Sequence, residues 1–154
     1  MSARSAQHET FTIERRYPAS PTRVFASFAD KSKKAKWFGC VEGWVVAEHT
    51  SDFRVGGREV WRVGPPGGTQ HRNDTVYHDI VPNERIVWSY AMSIGETRIS
   101  VSLATVELAP DGKGTRLTIT EQGVFLDDYD GGADRQRGTH DLLDNLDRAL
   151  RAEG

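Results

Sequence analysis

Two periodicities divide the chain. From Glu9 to Tyr17 polar and apolar positions alternate, with Phe11, Ile13, Arg15 and Tyr17 on one side, which predicts a strand. Over residues 18–30 the spacing becomes helical. Val24, Phe25, Phe28 and Ala29 share a face, Ser20 is a ready N-cap, and Pro21 takes the first helical position, where a missing N–H costs nothing. A short second helical piece at 31–38 turns its four lysines to water and plugs inward with Trp37 and Phe38. Alternation then returns in six runs rich in β-branched and aromatic residues, at 44–50, 58–63, 74–81, 84–92, 97–108 and 114–123. Turn residues at 64–68, 82–84, 94–96 and 110–114 separate these runs. The links are too short for crossover helices, so the strands run antiparallel as a meander. At 134–153 the period changes once more: Leu142, Leu143, Leu146, Ala149 and Leu150 line one face of a helix of about five turns.

An antiparallel sheet needs one face covered, and only the last helix is long enough to cover it. The fold class is therefore α+β: a curved seven-stranded antiparallel sheet wrapped around a long C-terminal helix, with two short helices between strands 1 and 2. Residues 9–154 are expected to form a single domain, after a loose polar tail at 1–8. A net charge of −2, from 20 basic and 22 acidic residues, argues for neither a nucleic-acid partner nor a membrane surface. The start of the chain has no apolar core of a signal peptide, and a cytoplasmic location is the expectation. Cys40 is the sole cysteine, read as a partly buried structural thiol.

The stretch Phe53 to Gly68 holds five glycines and raises the question of a phosphate cradle. Such a cradle places glycines between a strand and a helix, so that helix N–H groups meet the anion. Here Gly56 and Gly57 precede a strand, and the cluster at 64–68 is followed by more strand, so the glycines read as a bend and a hairpin loop. The five histidines show no ligand spacing, and no metal or cofactor is expected. The acidic run 126–134 lacks the spacing of a calcium loop and is read as capping the long helix.

Strand parity groups the candidate site residues. Glu59, Trp61 and Val63 share a face, as do Ile86, Trp88, Tyr90 and Met92, and Leu117, Ile119 and Glu121; Tyr77 with Asp79 can join them. Arg98, Ser100, Ser102 and Ala104 form a further set with Val106 and Leu108. If that set faces the helix, its small polar side chains leave space and line it with donors, while Ile99, Val101 and Leu103 lie outside and offer a homodimer contact. With the opposite parity, or beyond a bulge, the serines are simply solvated. Glu59 and Glu121 either face the interior, where desolvation raises a carboxyl pKa, or reach water near strand ends; the second is the plainer expectation.

Several segments together resemble one family. They are Pro18-Ala19-Ser20-Pro21 with Val24-Phe25, Trp37-Phe38, Phe53 to Arg58, and Tyr77 with Asp79-Ile80-Val81-Pro82 and Glu84-Arg85-Ile86. Pro110, Gly112, Gly114-Thr115 and Leu117-Thr118 follow, then Gly138 in the last helix. Over roughly residues 10–152 the chain resembles the START-like helix-grip superfamily, SRPBCC, in the branch named after the activator of the heat-shock chaperone ATPase. The family often has Trp after the helical glycine, where this chain has Thr139. The resemblance implies a cavity between sheet and long helix that holds a small hydrophobic or amphipathic molecule, carried rather than turned over. On that expectation Trp61, Tyr77, Trp88, Tyr90, Leu142 and Leu146 supply walls, and Glu59, Arg98 and Glu121 supply polar anchors. Two alternatives stay open. One is an enzyme of cyclase, hydrolase or dehydratase type on aromatic or polyketide-like compounds, with catalytic residues unknown. The other is a co-chaperone-like role in contact with the chaperone, against which stands the extra N-terminal domain of the eukaryotic activators, not expected in a chain of 154 residues.

Overall fold

The computed structural model describes residues 4–129 and 131–154. Residues 1–3 of the expected tail and Asp130 of the acidic run lie outside the described residues. The elements run β1 (Ala6–Tyr17), α1 (Pro21–Ala29), α2 (Lys31–Lys34), β2 (Val45–Ser51), β3 (Arg58–Gly64), β4 (His71–Val81), β5 (Arg85–Ile94), β6 (Thr97–Asp111), β7 (Gly114–Leu126) and α3 (Gly132–Ala152). The strands form one antiparallel sheet in the order β1-β7-β6-β5-β4-β3-β2. The hairpin-linked strands pair with their chain neighbours, and β1 adds beside β7. This is the helix-grip arrangement the sequence pattern implies.

β1 begins at Ala6, so residues 6–8 belong to the sheet and not to a tail; Gln7 and His8 pair with Phe125 and Val124. The acidic run is divided: Asp134 stands in the first turn of α3, as expected, whereas Asp127 serves another end of the chain. Asp127 accepts the Ser5 N–H at 3.1 Å and an Arg4 hydrogen bond at 2.8 Å, fastening the start of the chain to the end of β7. The N-cap of α3 is Gly131, with no side-chain cap. Gly131 is glycine for a packing reason: a Cβ there would stand 1.8 Å from the Phe125 ring.

α1 starts as expected, with Ser20 Oγ accepting the Arg23 N–H at 3.3 Å and Pro21 at the first helical position. Its inner face buries Val24 and Phe28. Trp37 is buried beside Phe28, at 5.0 Å between ring centroids, and its indole donates to the Ser27 carbonyl. Gly56 takes φ +83°, and Gly57 leaves no room for a Cβ, which would lie 2.0 Å from the Asp52 carbonyl oxygen. The Gly56 N–H and the Gly57 carbonyl bond the backbone of Tyr77, so this bend fixes the end of β3 against β4.

The register lines up rows of side chains across the face that α3 covers. One row is Trp61, Asn73, Met92, Ser100 and Phe125; the next is Glu59, Thr75, Tyr90, Ser102 and Gly123. Then come Tyr77, Trp88, Ala104, Glu121 and Phe11, and after them Ile80, Ile86, Val106, Ile119 and Ile13. Leu108 and Leu117 follow. The face therefore has a polar half and an apolar half. Leu143, Leu146 and Leu150 of α3 press into the apolar half, in one cluster with Ile13, Ile86, Val106, Leu117 and Ile119. Tyr17 donates to the Leu143 carbonyl at 3.0 Å and Arg23 to the Leu150 carbonyl at 2.9 Å, which holds the helix to β1 and α1.

Leu146 is fully buried in this contact. Leu146→Ala is expected to cost about 3–5 kcal/mol, read from urea unfolding. A loss below about 1 kcal/mol would mean that α3 is not what seals the sheet.

Candidate functional site

The polar half of the covered face carries two clusters, whose central glutamates stand four strands apart in the sheet. The first is centred on Glu59 of β3. Its Oε1 accepts from Lys34 Nζ of α2 at 2.5 Å and from the Tyr77 hydroxyl of β4 at 2.7 Å. Its Oε2 accepts from His49 Nε2 of β2 at 2.8 Å. The His49 ring stacks on Trp61, with centroids 3.5 Å apart, and Trp61 meets Phe38 at 5.1 Å. Burial alone would raise the Glu59 pKa, but the Lys34 charge and the hydrogen bonds from Lys34, Tyr77 and His49 outweigh it and hold it below the usual carboxylate range. Burial pushes His49 down against the pull of Glu59, so the ring is neutral near pH 7 and carries its proton on Nε2. Tyr77 rises well above its usual value, through burial and then the Glu59 charge.

The second cluster is centred on Glu121 of β7 and Arg135 of α3. The Tyr90 hydroxyl donates to Glu121 Oε2 at 2.8 Å and accepts from Arg135 Nη1 at 3.0 Å. Arg135 also reaches Ser102 Oγ at 3.3 Å and Ser100 Oγ at 2.7 Å. Its guanidinium lies between two rings, 5.4 Å from the Tyr90 centroid and 5.1 Å from that of Phe125. The Arg135–Glu121 ion pair is long, 3.9 Å. Burial raises the Glu121 pKa, only partly countered by the Tyr90 hydrogen bond and the Arg135 charge. Thr139, one turn along α3, is buried and donates to the Arg135 carbonyl at 2.8 Å.

The expected site residues are thus sorted. Glu59 and Tyr77 meet directly, with Trp61 joined to them through His49, and Tyr90 meets Glu121. Ser100 and Ser102 do face α3, while Val101 and Leu103 are exposed on the opposite side. Trp88 is half-buried between Tyr77 and Ala104, and packs at the edge of the apolar cluster together with Leu142. Leu146 belongs to the apolar half.

Five expectations are corrected. Both glutamates are buried, at 1% and 4% exposure, because each has partners that replace water. Arg98 is exposed and lies outside the site: a bulge puts Met92 opposite Ser100 but Ser93 opposite Arg98, which reverses parity at the end of β6. A bulge at His78 likewise turns Asp79 outward, where it pairs with Arg85 at 2.6 Å. Lys34 does not face water; it is 8% exposed, turned inward beneath Phe38 toward Glu59. Cys40 is exposed and lines a surface groove of about 400 Å³ with Asn145, Arg148 and Ala149.

Lys34, His49 and Arg135 are the functional residues the sequence reading missed. Two carried a signal. Lys34 stands three and four residues before Trp37 and Phe38, on their helical face. Arg135 extends the α3 series Thr139, Leu143, Leu146 and Leu150 back by one turn. The position of His49 opposite Trp61 depends on strand register, which the sequence pattern does not supply.

With this geometry in hand, comparison with known proteins is informative. The family model described as Activator of Hsp90 ATPase homolog 1-like protein matches residues 18–151. The chain belongs to this family. No curated protein matches it. Among solved structures, an uncharacterized protein from Rhizobium leguminosarum is 43% identical, with 98% of this chain and 99% of that one covered and a TM-score of 0.93. A Rhizobium loti protein is 52% identical over 94% of this chain and 99% of that one, with a TM-score of 0.88. A protein of the dynemicin biosynthetic locus shares the fold at 18% identity, covering 93% of this chain and 47% of that one, with a TM-score of 0.69. Among the described residues no helix is long and apolar enough to cross a membrane.

Two measurements follow from these electrostatics. Glu59→Gln leaves the Lys34 charge without its counter-charge and is expected to cost about 3–5 kcal/mol. Adding Lys34→Met should restore part of that loss, because it removes the unpaired ammonium while the Gln carbonyl can still accept from Tyr77; strictly additive losses would show that the two groups are not coupled. The pH dependence separates the two glutamates. Glu121 binds its proton more readily in the folded state, so the stability it contributes is full below the ordinary value of 4.5 and declines as pH rises through its raised pKa. Glu59 does the reverse: its contribution is present above 4.5 and is lost as pH falls through its lowered pKa. In Glu121→Gln the decline above pH 4.5 should vanish while the acid-side loss remains, as chemical denaturation at each pH would show.

Proposed function

We propose that this protein binds a small hydrophobic or amphipathic molecule between the sheet and α3, over the polar half of the covered face. Membership of the family supports the reading, and so does the chemistry of the face. Trp61, Trp88, Tyr90 and Phe125 offer apolar walls, and the hydroxyls of Ser100, Ser102 and Tyr90 turn inward among them. Sites for small molecules have this composition, mostly apolar with a few convergent polar groups. The observation that carries the reading is the Trp61 indole N–H, which is buried and makes no hydrogen bond among the described residues. An orphaned buried donor is costly, and a ligand oxygen would satisfy it. Thr139 stands where the family often has Trp; it is the smaller side chain, and its hydroxyl is taken by the Arg135 carbonyl.

One observation favours a second reading, an enzyme using Glu121 as an acid–base group. A buried carboxyl with a raised pKa beside a tyrosine hydroxyl suits proton transfer. The two readings share the site and differ in whether the bound molecule changes.

A thermal-shift screen against lipids, sterols, flavonoids and aromatic acids tests the first reading, followed by tryptophan quenching. A true ligand at a hundredfold excess over its Kd should add about 2.7 kcal/mol of stability. Trp88→Ala and Tyr90→Ala, shown folded by circular dichroism, should lose the response. A folded protein with no response to any class would overturn the binding reading. Conversion of a hit by the wild type but not by Glu121→Gln, with binding retained, would establish the second.

A further inference from the structure

The buried guanidinium of Arg135 has an unusual set of partners. Buried arginines commonly close a bidentate pair with a carboxylate, at about 2.7–2.9 Å for each bond. Here the hydrogen bonds go to three neutral hydroxyls, those of Tyr90, Ser100 and Ser102. Its carboxylate, Glu121, stays at 3.9 Å and accepts from the Tyr90 hydroxyl instead. The side chain is 13% exposed, so it is not wholly sealed from solvent. Two aromatic rings flank the guanidinium and fix its plane. A planar fork held by hydroxyls, with apolar rings on both sides, matches a carboxylate carried on a hydrophobic body.

Accordingly we propose that the ligand is an amphipathic carboxylic acid, that its carboxylate pairs with Arg135, and that Glu121 takes up one proton from solvent as it gives up its share of the arginine. This rests on the ligand-binding reading above and names the chemical class that reading leaves open. Charge balances: Arg135 and Glu121 form a neutral site before binding, and Arg135 with the ligand carboxylate forms one afterwards, Glu121 being the neutral acid. Tyr90 keeps its place between them, its hydroxyl turning to accept from the protonated Glu121. The groups around Glu121 favour that exchange. Tyr90 faces it from β5 and Arg135 from α3, while Ala104 of β6 and Phe11 of β1 flank it in its row. The next row brings Ser102 and, on β1, Glu9, a further negative charge lying where α3 begins. With the arginine shared with another anion, two carboxylates at one guanidinium are repelled unless one is protonated.

Calorimetry with matched probe pairs tests this: 2-naphthoate against 2-naphthamide, and decanoate against decanamide. For the wild type at pH 6.5 the acids should bind at least tenfold more tightly than their amides. Titration in buffers of different ionisation enthalpy should show uptake approaching one proton per acid bound, with the acid's affinity falling as pH rises. Glu121→Gln should remove the uptake and the pH slope while keeping acid binding. Arg135→Gln should bring the acid down to the level of the amide, and Arg135→Lys, which keeps charge but not the fork, should recover only part of the preference. Equal binding of acid and amide to the wild type would overturn this inference and leave the ligand-binding reading standing. Binding of neither member of either pair would overturn this inference as well, and the ligand-binding reading would fall with it only if the broader screen also drew no response. The wild-type comparison requires no variant, so a misfolded Arg135 substitution does not blunt it.

Discussion

The structure depends on hiding one face of a single sheet. Seven antiparallel strands leave two broad surfaces, and only α3 has the length to cover one of them. The covering is not uniform. Leucines at 143, 146 and 150 seal the rows of Ile86, Val106 and Ile119, where burial of apolar area stabilises the fold. One and two turns earlier, the same helix presents Thr139 and Arg135 to rows containing serine, threonine and glutamate. The helix is thus a clamp at one end and a polar wall at the other. A cost at the polar end is tolerable because the apolar end holds the helix in place.

That division explains why two buried glutamates behave in opposite ways. Each is desolvated by burial on the same sheet, Glu59 beside Lys34 of α2 and Glu121 beside Arg135 of α3, which alone would raise both pKa values. Glu59 has an ammonium at hydrogen-bond distance and two further donors, so its charge is stabilised more than burial penalises it. Glu121 has one hydroxyl and a guanidinium a full ångström farther away, so burial wins. Glu59 therefore reads as a fixed structural charge that ties α2 to the β2–β3–β4 edge. Glu121 reads as the carboxyl whose protonation state can change at modest cost. Function is more easily built on the second.

Much of the fold was legible from hydrophobic periodicity. The alternation in each strand, the Ser20-Pro21 start and the leucine series of α3 all agree on one architecture, and local and global signals rarely conflict here. The inward placement of Ser100 and Ser102 was one of two parities left open, and the burial of Glu59 and Glu121 ran against the plainer expectation, because the partners that replace water come from other elements. What failed did so for identifiable reasons. Arg98 shares parity with Ser100 in the sequence, yet the extra residue of a bulge carries it outside. Lys34 was assigned to water on charge alone, although its helical neighbours Trp37 and Phe38 point inward. Residue type and element position disagreed, and position decided.

Arg135 shows the same lesson from the other side. A positive charge near the start of a helix is unfavourable for the helix dipole, and nothing local in α3 asks for one there. Its place is explained only across the sheet, by Tyr90 of β5, the two serines of β6 and Glu121 of β7, strands far away in sequence. Three strands thus partner a charge whose cost α3 bears. Local rules are broken most readily where a structure needs something other than stability. An arginine placed against its own helix dipole, held by hydroxyls and flanked by aromatic rings, is in this chain the clearest such case, and it lies on the face that any bound molecule would have to share.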